Sequence, residues 1–230
     1  MDSATDAPFR AARDLRPLIA DWVHGWARCR GTAVPVPEPD GFRIDVGRHG
    51  HRVRYVLASQ DTVGERARSV ASPGTWLKVC GPRADTVATL SAPWLIGEPE
   101  YLMSVGLGAG DAPEPPTGYT VEIRETGPVL DVFVHAADGG TAASGRVARW
   151  GSSATVDQVV TEPAHRRRGL GRLVMGALGS AAAARGATHA VLVATEDGHG
   201  LYTALGWAVD ASLTAAHVPE NPVAGCSGRP

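Results

Sequence analysis

Residues 159–171 read VVTEPAHRRRGLG, and this stretch decides the fold. Its apolar start is a β-strand that stops at Pro163, because proline has no N–H to give a ladder. The turn Arg166-Arg167-Arg168-Gly169-Leu170-Gly171 follows and runs straight into a helix. There Leu170, Leu173, Val174, Ala177, Leu178 and Ala181 recur on one face. Amides in the first turn of a helix have no partner within it, and the macrodipole adds partial positive charge. A basic, glycine-bearing turn in that place reads as a cradle for a phosphate. Gly169 and Gly171 let the backbone approach a ligand without a Cβ in the way, and they reach dihedrals closed to other residues.

Working outward, four strands are expected before the cradle, at residues 119–125, 129–136, 141–150 and 154–161. Asp138-Gly139-Gly140 is a hairpin turn by composition, since these residues accept positive φ at low cost. Beyond the helix, which Gly186 closes, Ala190-Val191-Leu192-Val193-Ala194 is continuously apolar, as a strand covered on both faces must be. A strand, crossover helix, strand order makes the strands ending near Thr161 and starting near His189 parallel neighbours. A short helix at 199–205, stopped by Gly206, and one or two strands at 207–218 close the region.

The first hundred residues have their own pattern. After a polar start at residues 1–9, Leu15, Leu18, Ile19, Trp22, Val23 and Trp26 predict an amphipathic helix whose tryptophans are core residues. Residues 35–41, PVPEPDG, read as a connector. Alternation of Phe42, Ile44 and Val46, then of Val53, Tyr55 and Leu57, predicts a hairpin, with His49 and His51 as solvated residues of its turn. A helix at 61–71, a strand at 75–80 and an element of either kind at 85–90 follow. Tyr101, Leu102 and Met103 read as the last buried contact of this unit. Residues 106–118, GLGAGDAPEPPTG, lack any apolar period and mark a linker. The division expected is an N-terminal α+β domain at 1–107, a Pro/Gly-rich linker at 108–118, the main domain at 119–218 and a disordered tail at 219–230.

Composition narrows the chemistry. The chain has 230 residues and a formal net charge of -2, which removes the global basic field expected of a nucleic-acid binder. Cys29, Cys80 and Cys226 are too far apart for metal-ligand spacing, so buried thiols in a reducing cytoplasm are expected, with no metal. No uncharged apolar run reaches the ~18 residues of a membrane helix, and no basic-then-apolar leader stands at the start. The expectation is a cytoplasmic protein that binds neither nucleic acid nor membrane.

The motif formed by Arg166, Gly169 and Gly171, placed after a strand and before a helix, resembles the acyl-CoA-binding motif of the GNAT superfamily of N-acetyltransferases. Leu201-Tyr202-Thr203-Ala204-Leu205-Gly206-Trp207 is similar to the family's second Leu-Tyr…Gly-aromatic segment. The resemblance covers residues 119–218. It implies an α/β fold with a mixed (α+β) sheet, here preceded by a smaller α+β domain, and acetyl-CoA as acyl donor to a small-molecule or peptide amine. Val159, Val160 and Thr161 would pair with the pantetheine arm. Arg166, Arg167, Arg168, Gly169, Leu170, Gly171 and Arg172 would hold the pyrophosphate, and Tyr202 would protonate the departing thiolate. Glu162, Asp157 and Glu196 are candidates for the base that takes the amine proton.

The sequence departs from the family pattern in one place. Only residues 126–128 separate two strands between which similar proteins place two helices that shape the acceptor pocket. The N-terminal unit is the expected substitute wall. A second reading, a catalytically inactive acyl-CoA sensor or assembly module, follows from the same departure. The acceptor is not readable from the residues, and a homodimer is compatible with them.

Overall fold

In the computed structural model, residues 14–108, 110 and 112–220 are described. The expected polar start at 1–9, Cys226 and residues 221–230 of the expected tail lie outside them. The chain runs α1 (Arg16–Arg30), β1 (Val36–Glu38), β2 (Gly41–Arg48), β3 (His51–Leu57), α2 (Val63–Ser69), β4 (Thr75–Cys80), α3 (Arg83–Thr89) and β5 (Leu95–Gly106). It continues β6 (Tyr119–Thr126), β7 (Val129–Ala136), β8 (Thr141–Trp150), β9 (Ser153–Thr161), α4 (Leu170–Ala183), β10 (His189–Thr195), α5 (Glu196–Ala204) and β11 (Ala208–His217).

All strands among the described residues join one mixed sheet in the order β1-β2-β3-β4-β11-β5-β10-β9-β8-β7-β6. The two parallel pairs, β3 with β4 and β9 with β10, each enclose a crossover helix. Read inward from the two ends, the orders match apart from one extra strand in the second half. The first half lays down two antiparallel strands and the second three, and each then continues with a strand–helix–strand crossover, a short helix and a closing strand. The closing strands are exchanged. β5 of the first half lies against β10 of the second, and β11 of the second lies against β4 of the first. The segments on either side of the linker therefore share one sheet, and β5 runs on through Tyr101, Leu102 and Met103 as a twelve-residue strand at its centre.

Local chemistry explains the elements that a linear reading leaves open. Pro37 is tolerated because β1 is an edge strand. Pro99 is tolerated within β5 because β10 pairing begins only at Glu100 and the β11 register shifts nearby. The either-way segment at 85–90 is helical, as α3.

The sheet is covered on both faces. Alternate residues of β5 serve opposite layers: Leu102 packs with Leu18, Ile19, Trp22, Val23 and Trp26 of α1, whereas Met103 packs with Leu173, Val174 and Leu178 of α4. Gly25 lets α1 lie directly on β9, since a Cβ there would meet Thr155 Oγ1 at 2.1 Å. Helix α1 thus crosses the sheet face opposite α4, where the second half contributes no helix of its own. The linker follows α4, with Pro113 filling the space that a side chain at Gly176 would need. Glu220 ties the end of the described chain to the β2–β3 turn by accepting from Arg52 at 2.8 Å and from the Gly50 amide at 2.6 Å. Among the described residues no helix is long and apolar enough to cross a membrane, and no three His, Cys, Asp or Glu side chains cluster as a metal site.

Candidate active site

The site begins where two strands part. β9 and β10 pair only from His189 to Val191, against Ser153 to Thr155, after which β10 continues along β5 alone. β9 runs on to Thr161 with one edge unpaired. A bulge sits in this stretch: Ser144 pairs with Val160 and Arg146 with Asp157, so Gly145 faces both Gln158 and Val159. Gln158 takes a φ of 54°, which re-aims the backbone beside the opening. Val159 packs toward α4, and Val160 is 50% exposed.

The basic turn has the expected form. After a 3-10 turn at Pro163–His165, Arg167 (φ 61°) and Gly169 (φ 78°) are left-handed and α4 starts at Leu170. The first bond within the helix is donated by Leu173 to the Gly169 carbonyl at 3.1 Å, so the amides of Leu170, Gly171 and Arg172 have no helical acceptor. The Leu170 side chain is buried in the core and offers only its backbone. Arg166, Arg167, Arg168 and Arg172 are exposed. Arg168 Nη1 donates to the Tyr119 hydroxyl at 3.0 Å, which also bonds His165 Nδ1 at 3.0 Å. The two glycines have different reasons. Gly169 has open space where a Cβ would go and is required by its φ; a Cβ on Gly171 would approach Leu201 Cδ2 to 2.9 Å. Close packing of α4 on α5 was not an expected use of Gly171.

Tyr202 lies on α5, whose first turn is capped by the Thr195 hydroxyl accepting from the Gly198 amide at 3.4 Å. Burial, then the nearby Asp157 charge, pushes its phenol up to about 12, so it holds its proton at neutral pH. Gly198 makes room for the ring, because a Cβ there would come 2.9 Å from Tyr202 Cε2.

Tyr202 and Asp157 share a cavity of about 320 Å³. β9 and β10 supply Gln158, Val159, Val193 and Thr195, and the first half supplies the remaining wall, including Trp22, Trp26 and Arg30 from α1. Asp157 is gripped by Arg30, with Nη2 donating to Oδ1 at 3.0 Å. The other two carboxylate candidates stand apart. Glu196 accepts from the Tyr101 hydroxyl at 2.7 Å near the start of α5, and Glu162 is exposed before the 3-10 turn; neither lines the cavity.

The first half brings further residues to the cavity. Trp22 and Trp26 are core residues at 3% and 6% exposure, yet they also wall the cavity. His51 is not a solvated turn residue. It begins β3, lies 5.1 Å from the Trp76 ring, and burial with nearby cations pushes its pKa down to about 3, leaving the ring neutral. Arg54, Lys78 and Glu100 line the same space. One signal was available: Lys78 interrupts the apolar run Thr75-Trp76-Leu77-Lys78-Val79-Cys80 of a strand covered on both faces.

Comparison with known proteins agrees with this geometry. The Acetyltransferase (GNAT) domain family model matches residues 129–209. No curated protein matches the chain. Among solved structures, a GCN5-related N-acetyltransferase from Kribbella flavida is similar at 18% identity and a TM-score of 0.66, over 93% of this chain and 99% of that one. A GCN5-related N-acetyltransferase from Sphaerobacter thermophilus is similar at 13% identity and a TM-score of 0.56, over 93% and 96%. A tandem GNAT protein from the clavulanic acid biosynthesis pathway shares 15% identity and a TM-score of 0.50, over 69% and 68%. The splayed β9–β10 pair and the glycine turn before α4 both fall within the region, residues 129–209, that matches the GNAT acetyltransferase domain, and the mixed α/β fold is that of the GNAT structures it resembles.

Proposed function

We propose that the protein moves an acetyl or similar short acyl group from acyl-CoA to a primary amine by direct attack of the neutral amine on the thioester. The observation that carries this reading is that Tyr202 and Asp157 line one cavity where β9 and β10 part, while Leu201, next to Tyr202, packs on Gly171 of the cradle. Donor, acid and base thus fall within one short stretch of the molecule.

The roles follow from position. The free edge of β9 at Val159, Val160 and Thr161 takes the amides of the pantetheine arm. The amides of Leu170, Gly171 and Arg172 receive the pyrophosphate, with Arg166, Arg167, Arg168 and Arg172 adding charge. An amide at the Gln158–Val159 bulge stabilises the developing oxyanion. Asp157 takes the amine proton, directly or through water, because each of its oxygens keeps a lone pair beyond the bond to Arg30. Tyr202 gives its proton to the departing thiolate. The N-terminal half serves as acceptor wall in place of the helices absent between β6 and β7, and holding both substrates there substitutes position for encounter.

Mass spectrometry of acetyl-CoA reactions against a mixed amine and peptide library tests this. Acetylated amines with release of CoA, lost in Gly169→Glu, are expected. Acetyl-CoA binding without turnover, unaltered by Tyr202→Phe, would overturn transfer in favour of a binding module.

A further inference from the structure

The charges in the cavity do not balance. Its walls carry Arg30, Arg48, Arg54 and Lys78 against two carboxylates, Glu100 and Asp157. Both carboxylates are already committed, Asp157 to Arg30 and Glu100 to Lys78. His51 is neutral. Arg48, an exposed residue, donates to the Arg30 carbonyl at 2.8 Å and has no carboxylate partner among the described residues. Arg54 is the more telling residue. It is 8% exposed, and its Nε is buried with no hydrogen-bond acceptor among the described residues. Its guanidinium carbon lies over the Trp26 ring, 4.2 Å from the centroid. An aromatic face orients such a group but does not satisfy its N–H donors. Burial lowers Arg54 only to about 10 and Lys78 to about 8, so both remain charged at neutral pH.

The carboxylates near Arg54, Glu100 and Asp157, are bonded to Lys78 and Arg30, and a buried guanidinium without a carboxylate of its own is costly to hold. His51 Nε2, buried on the same wall, also has no partner among the described residues. Arg54 Nε, an obligate donor, points to a ligand group that accepts hydrogen bonds and carries negative charge, and His51 adds a second donor in the tautomer that protonates Nε2. The planar fork of arginine matches a carboxylate in both shape and charge. Around it, Trp22, Trp26, Val46, Val159 and Val193 make the remaining wall apolar.

Resting on the acyl-transfer reading of the same site, we propose that the acceptor is a small amino carboxylate with an apolar body, its carboxylate held by Arg54 and its amine directed to Asp157 and Tyr202. Arg54 comes from β3 of the first half and Asp157 from the bulged β9 of the second, so the two poles of the substrate are read by different halves. The excess positive charge works against polyamines and other polycationic acceptors.

The test compares leucine, leucinamide and isoamylamine as acceptors for the wild-type protein. The amine of leucinamide is less basic than that of leucine and more often neutral, so a preference for leucine cannot come from amine reactivity. The expected kcat/KM for leucine exceeds that of either analogue by about 10²-fold, the scale of a lost charge-assisted contact. Arg54→Met collapses the leucine-to-leucinamide ratio to one or below, and Arg54→Lys restores part of it; thermal unfolding checks that each variant folds. Efficient acetylation without a carboxylate preference would overturn the proposal and leave acyl transfer standing. Conversely, if no amine is acetylated while leucine binds calorimetrically and Arg54→Met weakens that binding, transfer falls and the carboxylate site stands. Absence of both binding and preference overturns the carboxylate site. The wild-type comparison decides the point even where an Arg54 variant does not fold.

Discussion

The two crossover units, β3-α2-β4 and β9-α4-β10, occupy matching places on either side of the central β11 and β5, but only one of them opens. In the first, parallel pairing persists for five residues, from Val53 with Thr75 to Leu57 with Val79. In the second it lasts three before the strands separate. The helices differ in the same sense. α2 has seven residues with Glu65 in its first turn, whereas α4 has fourteen and starts from Gly169 among arginines. An acidic first turn disfavours an anion, while a basic one with free amides attracts it. The difference teaches that a parallel pair with a crossover helix is a scaffold alone; the proposed phosphate site also draws on the splay, the length and the left-handed turn. The closed unit instead turns charged residues, Arg54 and Lys78, toward the cavity beside the open one.

The strongest way to break this contrast is to put charge at both helix starts. Gly169→Glu places a carboxylate in the cradle and forces a non-glycine residue to φ 78°, and calorimetry should find acetyl-CoA binding abolished. Glu65→Lys at the start of α2 should leave that affinity within about twofold, since α2 lacks the left-handed glycine turn. Binding lost through Glu65→Lys would mean that the donor is held by the wrong half in this account.

Next in size is the proposed proton donor. Tyr202→Phe should lower kcat by about 10²-fold and leave acetyl-CoA affinity nearly unchanged, the signature of a general acid. An unchanged rate would remove Tyr202 from the chemistry. The raised phenol pKa, about 12, also places the loss of its acid form at higher pH than an ordinary tyrosine would give.

Packing sharpens the comparison further. Leu178→Ala under α4 should cost about 3 kcal/mol in urea unfolding, against about 2 kcal/mol for Val63→Ala under α2, in proportion to the apolar volume removed. A smaller effect is expected from Gly198→Ala, whose new methyl presses on the Tyr202 ring: a severalfold lower kcat with unchanged donor affinity. The smallest concerns His51. Its folded pKa of about 3 lies below the ordinary value of 6.5, so the unfolded chain binds the extra proton first. Stability from this group is therefore full above about pH 6.5 and is lost as pH falls toward 3. His51→Gln should show a shallower fall of melting temperature than wild type between pH 7 and 4.

Much of the second half was legible in the sequence because its signals are local. Strands at 119–161 alternate over a few residues, glycines mark their turns, and the cradle and Tyr202 lie in short motifs bound to a helix start and a helix turn. Helix α1 was equally plain from its stripe of Leu18, Ile19, Trp22, Val23 and Trp26. The strand β1 and the full length of β5 were obscured by Pro37 and Pro99, whose tolerance depends on neighbours far away in the chain.

By itself, then, the sequence determined most of the elements and the glycine turn before α4, and suggested the proposed anion cradle and its donor, since periodicity and turn chemistry are properties of adjacent residues. Only the tertiary structure decided the exchange of β5 and β11, the seating of α1 on β9, and the meeting of Arg54, Lys78 and Glu100 with Asp157 and Tyr202. Those residues are separated by up to about 150 positions, and whether a charged strand residue faces water or a cavity depends on what packs against it, which no local pattern encodes.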